Sequence, residues 1–441
     1  MATRMKVKEL VDSLMAIHPK GFDLSLGRVT RLLALLGDPQ KRIPPVIHVA
    51  GTNGKGSTIA FCRTILEASG HKVHAHTSPH LVNWNERYRL GHDGGGQLVT
   101  DAVLAEAISR VAEANGGQPI TVFEILSAVM FVLFSEHPAD FCLVEVGLGG
   151  RFDATNVLEK PAICTITPIA LDHQAFLGDT IAKIAFEKAG IIKPGAKVVV
   201  GPQQEAAREV IEAKAEECRV QIFVAGQDFD YYEQGGRFIY QDEEGLLDLP
   251  MPHLIGEHQL GNAATAIATI RATGVKTSNE QFETAMEKVS WPGRMSRLKT
   301  GTIVDKLGEN WEIWVDGGHN PAAAQAISRE IIRQNKQNEM PTIMICGMLN
   351  TKEPKGYFDA FNGLVKKIIT VPIQSSDAGI DAAELAEIAS QTGLKSMAVN
   401  SLSEALEILA KNKEKSRQRI LVAGSLYLIG DVLLENETPP A

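Results

Sequence analysis

The stretch Val46-Ile47-His48-Val49-Ala50-Gly51-Thr52-Asn53-Gly54-Lys55-Gly56-Ser57-Thr58 constrains this chain more than any other. β-Branched residues lead into a loop of three glycines, and Ile59 then opens a helical pattern. Glycines let a backbone turn sharply and aim its N–H groups at phosphate oxygens, the following helix N-terminus adds positive potential, and Lys55 supplies a mobile charge. The widespread phosphate-loop pattern puts a glycine five residues before its Gly-Lys pair and Ser or Thr directly after it, where this chain has Val49 and Gly56. A plain strand-to-helix turn is therefore the alternative. A lysine between two glycines at the mouth of an apolar strand favours a triphosphate cradle, with Ser57 or Thr58 able to hold magnesium.

With 441 residues, two or three domains of about 150 residues are expected. A formal charge of −9 argues against a nucleic-acid footprint, which needs a basic face, but allows a local basic pocket for small anions. Cys62, Cys142, Cys164, Cys218 and Cys346 are odd in number and form no C-x-x-C pair, so neither a disulfide framework nor a zinc knuckle is expected and a reducing cytoplasm fits. Residues 1–17 mix charges into their apolar positions, and the apolar run 125–134 is too short to span a bilayer, so no membrane role is expected.

The spacing predicts helices over residues 10–17 and 29–36 before the first strand, a helix over 59–68, and a strand over 72–76 ending in Thr77-Ser78-Pro79-His80. A long polar loop is expected beyond. His74, His76 and His80 invite a metal reading, but two of them alternate along a strand and a strand-and-loop role is preferred. Ser78 stands past the carboxyl end of a strand expected to lie beside the nucleotide strand, where ligands of open α/β sheets gather. Residues 123–134 read as a buried helix. Residues 140–147 read as a buried strand with one carboxylate near its end, Glu145, which needs either a magnesium ion or a nearby Lys or Arg.

Residues 147–152 resemble a dinucleotide fingerprint only loosely, since Phe152 stands where the third glycine belongs, and a nicotinamide reading is rejected. A strand over 162–169 ends in Asp172-His173, with a core or capping histidine as the alternative to a functional one. Lys188 near the end of a helix over 180–189 can favour the helix dipole. Strand 196–200, helix 205–217 and strand 220–224 continue the alternation of a doubly wound parallel sheet. Short strands fill 229–249, helices follow to 289, and Pro292-Gly293 marks the domain boundary. A second β-α series then runs from the strand 311–315 and the loop Asp316-Gly317-Gly318-His319-Asn320-Pro321, with residues 435–441 expected to fray.

Together, GTNGKGS at 51–57, SPHL at 78–81, EVGLGGRFDATN at 145–156, LDH at 171–173, EKAGI at 187–191 and DGGHNP at 316–321 resemble the folylpolyglutamate synthase/dihydrofolate synthase family of the ATP-dependent Mur ligase superfamily. The resemblance implies an α/β protein. A P-loop-type doubly wound nucleotide domain at 1–293 would carry the pterin site, and a smaller Rossmann-like domain would occupy 297–441. It implies ATP on Asn53, Gly54, Lys55, Gly56, Ser57, Asn262, Arg294 and Asp316. Magnesium would lie on Ser57, Ser78, Glu145 and His173, with Lys55, His173 and Lys188 catalytic and Lys188 carbamylated. Added carbon dioxide would turn a cation that repels magnesium into an anion that holds it.

The family's pterin positions map to Gly21, Phe22, Asp23 and Leu24, to Thr121, Val122, Phe123 and Glu124, and to Phe152, Asp153 and Ala154; His319 and Ser425 are candidates near the incoming glutamate. The implied reaction is ATP-dependent addition of L-glutamate to the carboxylate of a pteroate or folate through an acyl phosphate, in a cytoplasmic monomer. The rivals are a peptidoglycan-type amino-acid ligase, opposed by the SPHL and EVGLGGRFDATN blocks, and a phosphate-loop regulatory ATPase.

Overall fold

A computed structural model describes residues 2–17, 25–411 and 416–440. These form two compact units: residues 1–79, 84–253 and 260–289 make the first, and 80–83, 254–259 and 290–441 the second. The second unit thus takes in two short segments that lie before residue 293 in the chain.

The first unit is built on strands β1 (Val46–Ala50), β2 (Val73–His76), β3 (Tyr88–Leu90), β4 (Gln97–Leu98), β5 (Phe141–Glu145), β6 (Ile163–Ile166), β7 (Lys197–Val200) and β8 (Ile222–Val224). Their order is β4-β3-β2-β5-β1-β6-β7-β8, parallel from β2 to β8 with an antiparallel ribbon of β3 and β4 at one edge. The all-buried strands reflect helices on both faces. Cys142, Val144, Cys164, Ile166, Val198 and Val200 pack under helices Val122–Glu136, Ile181–Ala189 and Glu205–Cys218. On the other face helix Glu257–Thr273 meets the sheet where Thr165 Oγ1 and Thr269 Oγ1 lie 3.1 Å apart.

Three expectations are corrected here. The region after Ser78 is not a loop: it holds β3, β4 and a helix, Asp101–Asn115, started by the Thr100 hydroxyl on Val103 N and stopped by Gly116 in the left-handed region. Leu104, Ile108 and Val111 supply its buried stripe. The strand leading to Ser78 is not beside β1, because β5 lies between them. The helix after the phosphate loop begins at Lys55 rather than Ile59, since Gly54 at φ +86° caps it four residues earlier.

Residues 229–249 form an antiparallel meander of β9 (Phe229–Gln234), β10 (Arg237–Asp242) and β11 (Gly245–Pro250). The second unit has a sheet of order β12-β13-β17-β14-β15-β16, where β12 is Ser296–Leu298, β13 Trp311–Asp316, β14 Thr342–Cys346, β15 Lys367–Thr370, β16 Ser396–Ala398 and β17 Gln418–Ala423. It is parallel except for β12. The expected fraying over 435–441 is also corrected at Asn436, which is buried, accepts Ile303 N–H at 3.0 Å and donates to Thr300 O at 2.9 Å; residue 441 lies outside the described residues.

The strand histidines are structural. His74 donates from Nε2 to His137 O at 3.0 Å and accepts Gly91 N–H on Nδ1 at 2.9 Å, so both nitrogens are spent within the protein. Burial lowers the pKa of His48 and of His76 from 6.5 to about 3. Both therefore stay neutral when folded, whereas the unfolded chain protonates them below pH 6.5. Stability falls as pH drops from there toward about 3, by about 1.4 kcal/mol per pH unit for each histidine. In His76→Gln the slope of unfolding free energy between pH ~6.5 and ~5 is expected to shrink by about that amount. Urea titrations across the window check this, and an unchanged slope contradicts a neutral buried imidazole.

Candidate active site

The carboxyl ends of β2, β5, β1 and β6 converge, and β1 is the strand from which the chain crosses first to one side of the sheet and later to the other. Ligands of doubly wound sheets bind at such a switch point. The loop after β1 is tied down by Thr52 N and Asn53 N, which both donate to Pro168 O, at 3.0 and 3.1 Å. Those two N–H groups are thus spent on the segment that follows β6. The cradle is the first turn of helix Lys55–Ala68, whose N–H groups and dipole point to the strand ends. Gly51 and Gly54 are obligatory for packing: a Cβ at Gly51 would strike Thr167 Oγ1, and one at Gly54 would strike Asn262 Oδ1. Asn262 is therefore pressed against the loop.

Lys55 Nζ donates to Gly51 O at 3.2 Å and Thr52 O at 3.3 Å, and lies 3.9 Å from Glu145 Oε1. Glu145 ends β5 opposite Val49 of β1, and its Oε2 accepts Ser78 N–H at 3.0 Å. The ion-pair reading of Glu145 is met at its long limit, 3.9 Å, with the backbone N–H of Ser78 on the other carboxylate oxygen. Ser57 is buried in the first helical turn. Lys188 does not serve the helix dipole in the way its position suggests. It is buried, and Nζ donates to Gly51 O at 2.8 Å, beneath the phosphate loop. His173, at φ +51°, opens the short helix Gln174–Leu177 with its Nε2 3.9 Å from Asp172 Oδ2.

Two of the segments assigned to the pterin come together beside this centre. Thr121 and Glu124 form a capping box, with Glu124 N–H on Thr121 Oγ1 at 3.2 Å and Thr121 N–H on Glu124 Oε2 at 2.8 Å. A Cβ on Gly147 would strike the Phe123 ring, so the helix start abuts the glycine loop. Within that loop Asp153 is buried and accepts from Leu148 N at 2.8 Å, while Phe152 is 36% exposed under the Arg151 guanidinium, 4.4 Å from its ring centre. Glu124 is buried and held through Oε2 by Arg28 Nε at 3.1 Å, and its Oε1 has no hydrogen-bond partner. Residues 21–24 lie outside the described residues.

Sequence reasoning missed Arg28, because its partner is 96 residues away and no local pattern reports that. It also passed over His48, although a lone polar residue in an apolar strand is the same signal that exposed Glu145.

Four candidates belong to the second unit. Asp316 ends β13, buried, and accepts Met295 N–H and Gly318 N–H at 2.8 and 2.7 Å. Arg294 Nη1 donates to Gly293 O at 3.1 Å. His319 donates from Nδ1 to Gly317 O at 3.0 Å. Ser425 is buried and its hydroxyl caps helix Leu426–Glu435 through Tyr427 N–H at 3.2 Å.

A lysine-bearing phosphate loop at the switch point, a buried carboxylate on the next strand and a second α/β unit are the parts of an ATP-dependent ligase of the Mur type, and comparison with known proteins shows that class. The family model "Mur ligase middle domain" matches residues 49–270, and "Dihydrofolate synthetase, C-terminal domain" matches 300–435. The dihydrofolate synthase/folylpolyglutamate synthase of Bacillus subtilis is 31% identical over 432 residues, covering 93% of this chain and 95% of the relative. Escherichia coli FolC, solved with DHPP and ADP, superposes with a TM-score of 0.86 at 30% identity, over 97% of each chain. A bifunctional folylpolyglutamate synthase/dihydrofolate synthase solved with Mn, AMPPNP and L-glutamate superposes at 0.84 with 28% identity, over 97% of each. The chain belongs to the dihydrofolate synthase/folylpolyglutamate synthase family and is an ATP-dependent amide-bond-forming ligase.

Proposed function

We propose that this protein joins L-glutamate to the carboxylate of dihydropteroate or of a reduced folate, using ATP to make an acyl phosphate. The observation that carries the reading is the 3.9 Å approach of Lys55 Nζ to the buried Glu145 carboxylate at the strand tips. It brings a phosphate-binding cation and a metal-binding anion to one point. An acid is a poor acylating agent because its oxide leaves badly, and phosphorylation replaces that oxide with phosphate. The acceptor's carboxylate oxygen attacks the γ-phosphorus and ADP departs; the glutamate amine then attacks the acyl carbon, phosphate leaves, and a proton is lost from nitrogen. Lys55 and the first-turn N–H groups of the helix neutralise charge on the transferring phosphoryl oxygens. Asn262, Arg294 and Asp316 are assigned to the nucleotide.

Glu145, Ser78, Ser57 and His173 are assigned to magnesium, and the buried Glu145 carboxylate, an oxygen donor, fits a hard cation. When bound, magnesium would supply positive charge to the phosphate groups of ATP. A carbamate on Lys188 is supported by the burial of its amine under Gly51, where an unmodified ammonium would oppose a nearby cation. Labelled bicarbonate giving a carbamate carbon signal that is lost in Lys188→Met checks it.

The unpaired Oε1 of Glu124 favours a flat acceptor carrying N–H donors, as a pterin does. Phe152 and Ala154 flank the same loop, and His319 and Ser425 are assigned to glutamate. Cytoplasmic location and a monomeric state are part of this reading. The test is to incubate the protein with ATP, magnesium, glutamate and either dihydropteroate or a reduced folate, and to weigh the products. One glutamate added, with ADP and phosphate formed only when both acceptor and glutamate are present, is expected. Phosphate release from ATP alone at the same rate points instead to a regulatory ATPase.

A further inference from the structure

We propose that His48 is a positioning residue for the acceptor side of the site, acting through the Thr155 hydroxyl to hold the Asp153 loop. His48 lies at the centre of β1, registered between Val144 of β5 and Cys164 of β6, three residues before the phosphate loop, and is fully buried. Its Nε2 stands 2.9 Å from Thr155 Oγ1. The direction of that bond follows from the inventory of protons. Thr155 has one hydroxyl hydrogen, which it donates to Asp153 Oδ1 at 2.5 Å; burial raises the Asp153 pKa, but two backbone N–H groups and this hydroxyl on its two oxygens favour the ionised carboxylate, which can only accept. Nε2 must therefore carry the imidazole proton. Nδ1 is buried with no hydrogen-bond partner, as a bare lone pair on the neutral ring.

The far end of the relay is the loop. Asp153 also accepts Thr155 N–H on Oδ1 at 3.0 Å and Leu148 N–H on Oδ2 at 2.8 Å, so one carboxylate closes the chain between 148 and 155. Without the His48 donor the Thr155 hydroxyl gains a free lone pair, and the rotor that fixes Asp153 is no longer tied to the sheet. The relay thus joins the strand that presents ATP-binding residues to the loop that presents Phe152 and Ala154. This inference rests on the reading that those two residues meet the acceptor.

The test compares His48→Leu, His48→Gln and Thr155→Val in steady state, varying acceptor and ATP separately. Gln can place an N–H near the Nε2 position, and Leu cannot. His48→Leu and Thr155→Val are each expected to raise the acceptor KM about tenfold and leave the ATP KM within about twofold, since the loop and not the phosphate cradle loses its tether. Their combination should be no worse than either alone, and His48→Gln should recover most of the loss. Equal rises in both KM values, or Gln no better than Leu, overturn the proposal and leave His48 a packing residue. Phe152→Ala separates the two layers of the argument. If it raises the acceptor KM while His48→Leu does not, the relay alone fails; if it leaves the acceptor KM unchanged, the acceptor reading fails and the relay with it. Nitrogen NMR on the wild-type protein needs no variant: a protonated Nε2 and bare Nδ1 at neutral pH are expected, and the opposite tautomer contradicts the relay.

Discussion

Lys55→Ala is expected to lower kcat by about three orders of magnitude while the protein stays folded. The side chain's bonds run to two loop carbonyls, Gly51 O and Thr52 O, and to Glu145 at 3.9 Å, and its own exposure is 17%. Water can reach the space it vacates, and Glu145 keeps its Ser78 N–H bond. The stability loss should therefore be about 1–3 kcal/mol, since the buried Glu145 loses a distant counter-charge but keeps a hydrogen bond and gains water at the vacated space. In the reaction the loss is larger, because a point charge on the γ-phosphoryl group is worth most as that group transfers. Lys55→Arg should not restore the rate: a planar fork is wider than an ammonium and needs bidentate geometry. ADP formation in the presence of acceptor and glutamate measures the effect, with denaturant midpoints alongside. A kcat within about tenfold of wild type removes Lys55 from the phosphoryl-transfer step.

The parts of the site that were legible in the sequence are those where chemistry constrains a residue by itself. Gly51 and Gly54 are such cases, because a sharp strand-to-helix turn puts their backbones at φ +154° and +86°, which glycine adopts without strain. Glu145 is another, because a carboxylate at the buried end of an apolar strand needs a counter-charge or a cation. The blocks from 145 to 156 and from 316 to 321 were legible through family resemblance. What depended on distant pairing was not legible. The position of β5 between β2 and β1 leaves no local trace, and β3 and β4 contain three and two residues, too few for any alternation to register. Helix Asp101–Asn115 was hidden between glycine-rich flanks at 91–96 and 116–117, which read as loop although Leu104, Ile108 and Val111 keep a helical spacing. Asn436 escaped notice because its partners Thr300 and Ile303 lie more than 130 residues upstream. For Lys188 the neighbouring residues suggest a helix-end cation and the family resemblance a carbamate, while its bond to Gly51 O leaves no local trace.

Glu145→Gln should produce a loss of a different kind, and the contrast with Lys55→Ala identifies the two roles. The amide has the shape of the carboxylate and its oxygen can still accept Ser78 N–H, so the folded state is expected to be nearly as stable. Its charge is gone, and a neutral oxygen is a much poorer ligand for a hard divalent cation. The magnesium concentration giving half-maximal activity is expected to rise about a hundredfold, near 2.7 kcal/mol of binding free energy. Because Lys55 and the helix N-terminus remain, excess magnesium should recover a large part of kcat, which it cannot do when Lys55 itself is missing. Manganese, which accepts the same oxygen ligands, should partly replace magnesium in the variant. Titrating ligase activity against each metal at fixed ATP distinguishes the cases. A midpoint that stays put means Glu145 serves Lys55 alone, and the ion pair at 3.9 Å is then its whole function.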